Sequence, residues 1–366
     1  MFDFIPANIY TTLHYNFLLI IAVTILIHAF SYNIQDQKSL YFFNILGIVV
    51  VCVYTLYIGQ RQVDYRFGDT VNYNKAYQLL LNGKELIIKK DFLFNYMMIL
   101  CSKIMSVRSF FQLVDIFYMI PCIVFSYKYF GKYWFFALFM FLASFSFWSY
   151  GVNGLRNGLG TSIFILGLCF YNKKIIMYAF FALAYFMHAS LVIPIVAFII
   201  SGLYKSPKVY IYIWVASIPL SLAGGNVWTN FFGTLGFAED RTQGYLTGGE
   251  EFSNQFSQTG FRWDFLFYSA CAVFAGWYYI FKKNITETFY IHLFGVYCIA
   301  NAFWILVINA AFSNRFAYLS WFLMPIIIMY PLFKYKIVSD QYKIIGLIIS
   351  AYFMFTYFMN VIFYQL

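Results

Sequence analysis

The stretch Ile175 to Ile200, IIMYAFFALAYFMHASLVIPIVAFII, decides the fold class. Strands of a membrane barrel would alternate apolar and polar residues over about 10 positions, and this run does not alternate. It reads as membrane helix, and the composition around it agrees. The chain is 63% apolar and 24% aromatic, with 10% charged residues, whereas soluble domains carry about 25% charged residues. Such a chain cannot offer water an ordinary polar surface. Its apolar runs match the ~20 residues that a helix needs to cross the hydrocarbon core.

The expectation is therefore an all-α polytopic membrane protein with about 12 transmembrane helices, forming a single integral membrane domain over residues 1–366. The spans read from the sequence are Leu13 to Ser31, Tyr41 to Ile58, Phe110 to Tyr127, Tyr133 to Tyr150 and Asn157 to Tyr171. Two short helices follow within Ile175 to Leu203, broken around His188 to Pro194. The remaining spans are Val209 to Gly224, Trp263 to Phe281, Thr288 to Asn309, Phe316 to Phe333 and Tyr342 to Phe363. The segment near 92–106 is too short for a crossing, holds Lys103, and reads as re-entrant or interfacial. Residues 225–262, rich in Gly, Gln, Ser and Thr, read as a large extracytoplasmic loop.

This threading sorts the charges. One face receives lysines in short loops, among them Lys128, Lys132, Lys173, Lys174, Lys205 and Lys208, and by the positive-inside rule it is cytoplasmic. The opposite face receives Arg61, Arg66, Arg108, Arg156, Arg241, Arg262 and Arg315, which are all the arginines of the chain. Lysine suffices to signal topology, whereas the planar guanidinium fork suits bidentate binding of phosphate or carboxylate. The arginines thus read as ligands for an anion. Two polar stretches within apolar surroundings stand out: RQVDYRFGDTVNYNKAY at Arg61 to Tyr77 and NGLRNGLG at Asn153 to Gly160. Charges so placed are costly unless they line a wet cavity or have a task.

Other classes recede. The six cysteines lie singly in apolar runs and read as small buried residues, with no disulfide frame or metal spacing. No D-x-D or paired acidic motif suggests a divalent ion, so neither a metal nor a cofactor is expected. The net charge of +10 is explained by topology, so a nucleic-acid partner is not expected. MFDFIPANIYTTLHY lacks a basic n-region and a small-residue cleavage site, so no removable signal peptide is expected there.

An amphiphile with its charged head at the interface and its tail in lipid suits outward-facing arginines, and a polyprenyl diphosphate sugar is such a molecule. Fixed cations would stabilise the departing diphosphate. A carboxylate or imidazole would take the proton of the attacking hydroxyl, and Asp69, Asp64 and His188 are the candidates.

Arg66-Phe-Gly68-Asp69-Thr70 with Tyr73 resembles the first extracytoplasmic loop of EpsG-like and Wzy-type polysaccharide polymerases. LRNGLGTSIFILGLCFYNKK, opening with Arg156, is similar to the family's next motif. FFALAYFMHASLVIPI resembles its histidine helix, and Ser313-Asn-Arg315-Phe-Ala-Tyr318 its late arginine motif. The resemblance spans roughly residues 55 to 335. The family's E-P-x-F appears as Lys90-Asp91-Phe92-Leu93, without the proline, and the arginine that precedes G-D is Arg61 or Arg66.

The resemblance implies a GT-C-like helical fold in a bacterial inner membrane, with the active site facing outward. The implied reaction transfers a growing glycan from undecaprenyl diphosphate to a lipid-linked repeat unit. Asp69, His188, Arg156 and Arg315 are the expected catalytic residues. Arg61, Arg66, Tyr73, Arg241, Arg262 and Tyr318 are the expected substrate contacts. The expected partners are the lipid-linked oligosaccharide, the bilayer, a chain-length regulator and a flippase. An O-antigen ligase or membrane acyltransferase, and a lipid-linked oligosaccharide flippase, are the competing classes.

Overall fold

The structure is a computed structural model that describes residues 2–88, 90–234, 260–310 and 313–363. Every regular element among these residues is helical. Seven stretches are long and apolar enough to cross a membrane: Ala7–Ser31, Gln37–Gly59, Val107–Leu142, Trp263–Lys282, Thr288–Leu306, Asn314–Lys334 and Gln341–Phe363. The chain is an integral membrane protein. The difference between these seven and the twelve spans read from the sequence arises largely between residues 131 and 224. There the helices are mostly 8 to 14 residues long, and an unbroken helix across the core needs about 20.

The chain forms two compact units, Met1–Ala189 with Leu332–Leu366, and Ser190–Pro331. The first unit opens with α1 (Ala7–Ser31) and α2 (Gln37–Gly59). A loop with one 3-10 turn at Tyr65–Phe67 leads to α3 (Thr70–Leu81), and α4 (Phe92–Ser102) follows. At 11 residues, α4 rises about 16 Å, roughly half the hydrocarbon thickness. The sequence reading gives this segment as re-entrant or interfacial, and it is among the helices shorter than a full crossing.

Next come α5 (Val107–Phe130), α6 (Trp134–Leu142), α7 (Phe145–Val152), α8 (Leu155–Leu168) and α9 (Lys174–Met187). Gly131 ends α5 with φ of 53°, a left-handed conformation that glycine adopts without a Cβ penalty. The chain then turns back so that α6 packs on α5. In α6 every residue from Phe135 to Leu142 is buried. A helix that is apolar all round belongs in a core, and α6 is the centre of this unit.

The α8–α9 hairpin positions the candidate site. Each helix has 14 residues, so each is about 21 Å long. Arg156 opens α8 and His188 closes α9, so the hairpin brings them to one end and leaves Lys173 and Lys174 at the other. Lys128 joins the lysine end, since Tyr129 donates a hydrogen bond to the Leu168 carbonyl and the Lys128 ammonium lies 5.8 Å from the Phe170 ring.

The second unit contains α10 (Val192–Leu203), α11 (Pro207–Gly224), α12 (Asn226–Thr234), α13 (Trp263–Trp277), α14 (Thr288–Leu306), α15 (Asn314–Trp321) and most of α16 (Met324–Lys334). Its centre is α14, where buried Asn301 joins four helices. The Asn301 carbonyl oxygen accepts from Trp214 Nε1, and its amide donates to Ser269 and Ser320. Away from water, each of these polar groups needs a partner, and the network supplies them. Helix α17 (Gln341–Tyr357) returns to the first unit and packs along α1.

Candidate functional site

Asp91 is the hub of the polar cluster in the first unit. It precedes α4 in the left-handed conformation, with φ of 54° and ψ of 46°, a region that aspartate tolerates better than most residues. Its carboxylate makes no capping bond to α4 and turns toward the ends of α8 and α9. Asp91 Oδ2 accepts a 2.6 Å charge-assisted bond from Arg156 Nη1. Both carboxylate oxygens lie 3.2–3.3 Å from His188 Nδ1. The Ala189 backbone N–H donates to Oδ1 at 3.0 Å. Asp91 is 4% exposed. Burial alone would raise its carboxyl pKa, but the hydrogen bond from His188, the charge of Arg156 and the Ala189 N–H together hold it below the ordinary carboxylate value.

The local sequence explains why these groups meet. His188 stands in extended backbone, φ −155° and ψ 120°, where α9 stops. This break removes the following residue from the helix and frees the Ala189 N–H for Asp91. The expected break around His188 thus occurs at the residue itself. Gly158 lets α8 lie close to α7, because a Cβ there would fall 2.8 Å from the Tyr150 carbonyl oxygen. Tyr73 on α3 touches Arg156 twice: its hydroxyl accepts from Nε at 3.3 Å, and its ring centroid is 5.8 Å from the guanidinium carbon. The Arg156 side chain retains 27% exposure, and that of His188 retains 11%.

Arg156, His188 and Tyr73, expected from the sequence, are therefore brought together. Asp91, which joins them, was missed as a site residue. Its signal was the Lys90-Asp91-Phe92-Leu93 stretch occupying the position of E-P-x-F.

Other expected site residues are placed differently. Arg61 is 1% exposed. Its Nη1 donates to the Ile58 carbonyl, and its Nη2 to Thr70 Oγ1 and the Val152 carbonyl. Burial pushes its guanidinium pKa down to about 10, so it stays charged at neutral pH. Arg66 is exposed, donates from its Nη1 to both Asp64 carboxylate oxygens at 3.1–3.2 Å, and lies over the Tyr65 ring. The Asp69 carboxylate accepts from Asn72, and its backbone N–H donates to Asn153 Oδ1.

Arg262, Arg315 and Tyr318 belong to the second unit. Arg262 forms a bidentate pair with Asp264 at 2.6 and 2.9 Å and lies 3.8 Å from the Phe265 ring centroid. Arg315 stands in the first turn of α15. Tyr318 is buried, and its hydroxyl accepts from Asn314. Arg241 and most of the loop expected over 225–262 lie outside the described residues. Among the described residues no cluster of three His, Cys, Asp or Glu side chains is placed to hold a metal ion, and the six cysteines carry no disulfide.

A family model described as EpsG family matches residues 44–366. Searches of curated proteins and of solved structures give no significant match.

Proposed function

The chain belongs to the EpsG family, and from that membership and the geometry around Asp91 we propose that it is a polysaccharide polymerase of the bacterial inner membrane. On this reading it moves a growing glycan from undecaprenyl diphosphate to a lipid-linked repeat unit at the extracytoplasmic face. The observation that carries the proposal is the meeting of Arg156 and His188 on one buried carboxylate, Asp91.

Each group has a task. The partly exposed guanidinium of Arg156, held by Asp91 and Tyr73, binds the donor diphosphate and stabilises the charge that grows on it. Asp91 accepts the Nδ1–H of His188, which leaves the Nε2 lone pair to act as base. The acceptor hydroxyl gives its proton to Nε2 as its oxygen bonds to the anomeric carbon. The bond from that carbon to the diphosphate oxygen breaks, and undecaprenyl diphosphate leaves as an anion. Asp69, the other expected base, is engaged with Asn72 and the α7–α8 turn, which favours His188.

The orientation rests on charge. Lys128, Lys173 and Lys174 mark the cytoplasmic end of the hairpin. With their lysine ends at the cytoplasmic boundary, α8 and α9, each about 21 Å long against a ~30 Å hydrocarbon core, put Arg156 and His188 in the outer half of the bilayer, short of its outer boundary. That depth suits a carrier with its tail in lipid whose diphosphate reaches into an outward-opening cleft. Counting the short helices α6/α7, α8, α9 and α10 and the 18-residue α11 as crossings gives about twelve, and the family resemblance implies a GT-C-like arrangement of them. A chain-length regulator and a flippase are the expected partners.

The test is purified protein reconstituted with lipid-linked repeat units and no other acceptor. Wild type yields a ladder of longer chains, and Arg156→Ala leaves single repeats at an unchanged protein level. A normal ladder from that variant overturns the assignment. A wild type that glycosylates only an added second acceptor is a ligase.

A further inference from the structure

The Arg61-to-Thr70 segment makes a set of contacts that the proposed chemistry does not use. The last turn of α7 leaves the Val152 carbonyl without a helical partner. It is met by Arg61 Nη2 at 3.1 Å and by the Thr70 hydroxyl, which also accepts from Arg61. The other arm of the same guanidinium donates to the Ile58 carbonyl at the end of α2. One buried cation therefore closes the C-terminal ends of two helices, where the helix dipole favours positive charge. The Phe111 ring, 5.1 Å from the guanidinium carbon, lies on α5 beside it.

The next residue of the turn, Asn153, is held from the same loop. Asn153 Oδ1 accepts the Asp69 N–H at 2.8 Å. Gly68, at φ of 59°, comes so close that a Cβ there would lie 2.4 Å from Asn153 Oδ1. Thr70 is 0% exposed. Thr70 and Tyr73, three apart on α3, share one helix face: Thr70 grips the Val152 carbonyl, and Tyr73 grips Arg156, four residues further on.

We propose that Arg61, Gly68 and Thr70 are positioning residues that clamp the α7–α8 turn and thereby set the register in which Arg156 meets Asp91. The G-D-T motif then acts on the reaction through the start of α8. Only the second of the following readouts rests on the diphosphate reading.

The first readout needs no substrate. The full chain in nanodiscs is treated with phenylglyoxal, which modifies arginine, and the rate at each arginine is read by peptide mass spectrometry. Thr70→Val keeps the shape and removes the hydroxyl. It raises the Arg156 rate about threefold or more while Arg108 and Arg262 react as in wild type, and Thr70→Ser restores the wild-type rate. Gly68→Ala shows the same pattern through displacement of Asn153, and serves if Thr70→Val fails to fold. An unchanged Arg156 rate in the folded variant overturns the proposal. So does an equal rise at all three arginines, which marks general loosening.

The second readout is binding of undecaprenyl diphosphate. Thr70→Val weakens it about tenfold in the wild-type background and not at all when Arg156 is already Gln. Equal weakening in both backgrounds overturns the clamp. If Arg156→Gln binds like wild type, the diphosphate reading fails, and the phenylglyoxal rates still decide the clamp.

Discussion

Arg61 and Arg156 stand close in the fold and do opposite things with the same side chain. Arg61 is shut away, and its donors go to two helix-end carbonyls and a threonine hydroxyl. Arg156 keeps more than a quarter of its side chain exposed and meets a carboxylate that also faces a histidine. A guanidinium bonded to carbonyls is a fixed structural charge. One shared between a carboxylate and an opening can exchange part of its partnership for an incoming anion. The comparison shows that an arginine in an apolar chain is not by itself a substrate ligand.

The largest expected effect comes from the acid that separates the two. Asp91→Asn preserves the shape and removes the charge that His188 and Arg156 share. Turnover on lipid-linked repeats falls by about 10² or more, the scale of losing a positioned acid–base group. Near-normal turnover would show that the cluster is structural, like the surroundings of Arg61.

Arg61→Met comes next and is read in stability. It takes the guanidinium donors from the Ile58 and Val152 carbonyls, the second of which keeps the Thr70 hydroxyl, and costs about 2 kcal/mol, on the scale of 1–3 kcal/mol for a buried polar group that loses a partner. Thermal unfolding in detergent measures it. Arg156→Met costs less, because Asp91 keeps the Ala189 N–H and His188. Equal losses from the two substitutions would erase the distinction between them.

A smaller effect lies in pH. The folded-state pKa of Asp91 is depressed, so its contribution is fully present above the unfolded carboxyl value. It is lost as pH falls through the lower folded value. Midpoints recorded from pH 7 downward should fall more steeply below the ordinary carboxyl range in wild type than in Asp91→Asn. Parallel curves would mean that Asp91 is not held ionised by its neighbours.

How much of this could be read in the chain differs by residue. Arg156 and His188 were legible because helix-ending signals flank them: the glycine-rich start of α8 and the break after Met187. Asp91 was not, because its role depends on a left-handed turn that orients the carboxylate, and no local pattern announces that turn without the usual proline. Arg61 and Arg66 looked interchangeable, each an arginine a few residues ahead of Gly-Asp. Which of them is buried is decided by Val152, more than eighty residues away, and that distance lies beyond any reading of spacing. The helical membrane class followed from composition. The seven long stretches emerged only once the breaks at Ser144 and His188 had fixed helix lengths.

Arg66 supplies the smallest effect and the sharpest contrast with Arg61. Its charge is matched by Asp64, with 42% of its own side chain exposed, and exposed pairs contribute little because water screens them and two side chains must be held still. Arg66→Gln should therefore change stability by less than about 0.5 kcal/mol and turnover by less than about threefold. What change there is should shrink as salt rises, since an exposed cation acts on an anionic substrate mainly through a screened field. A large, salt-insensitive loss would place Arg66 directly on the diphosphate. The G-D-T loop would then be a ligand-bearing element as well as a clamp.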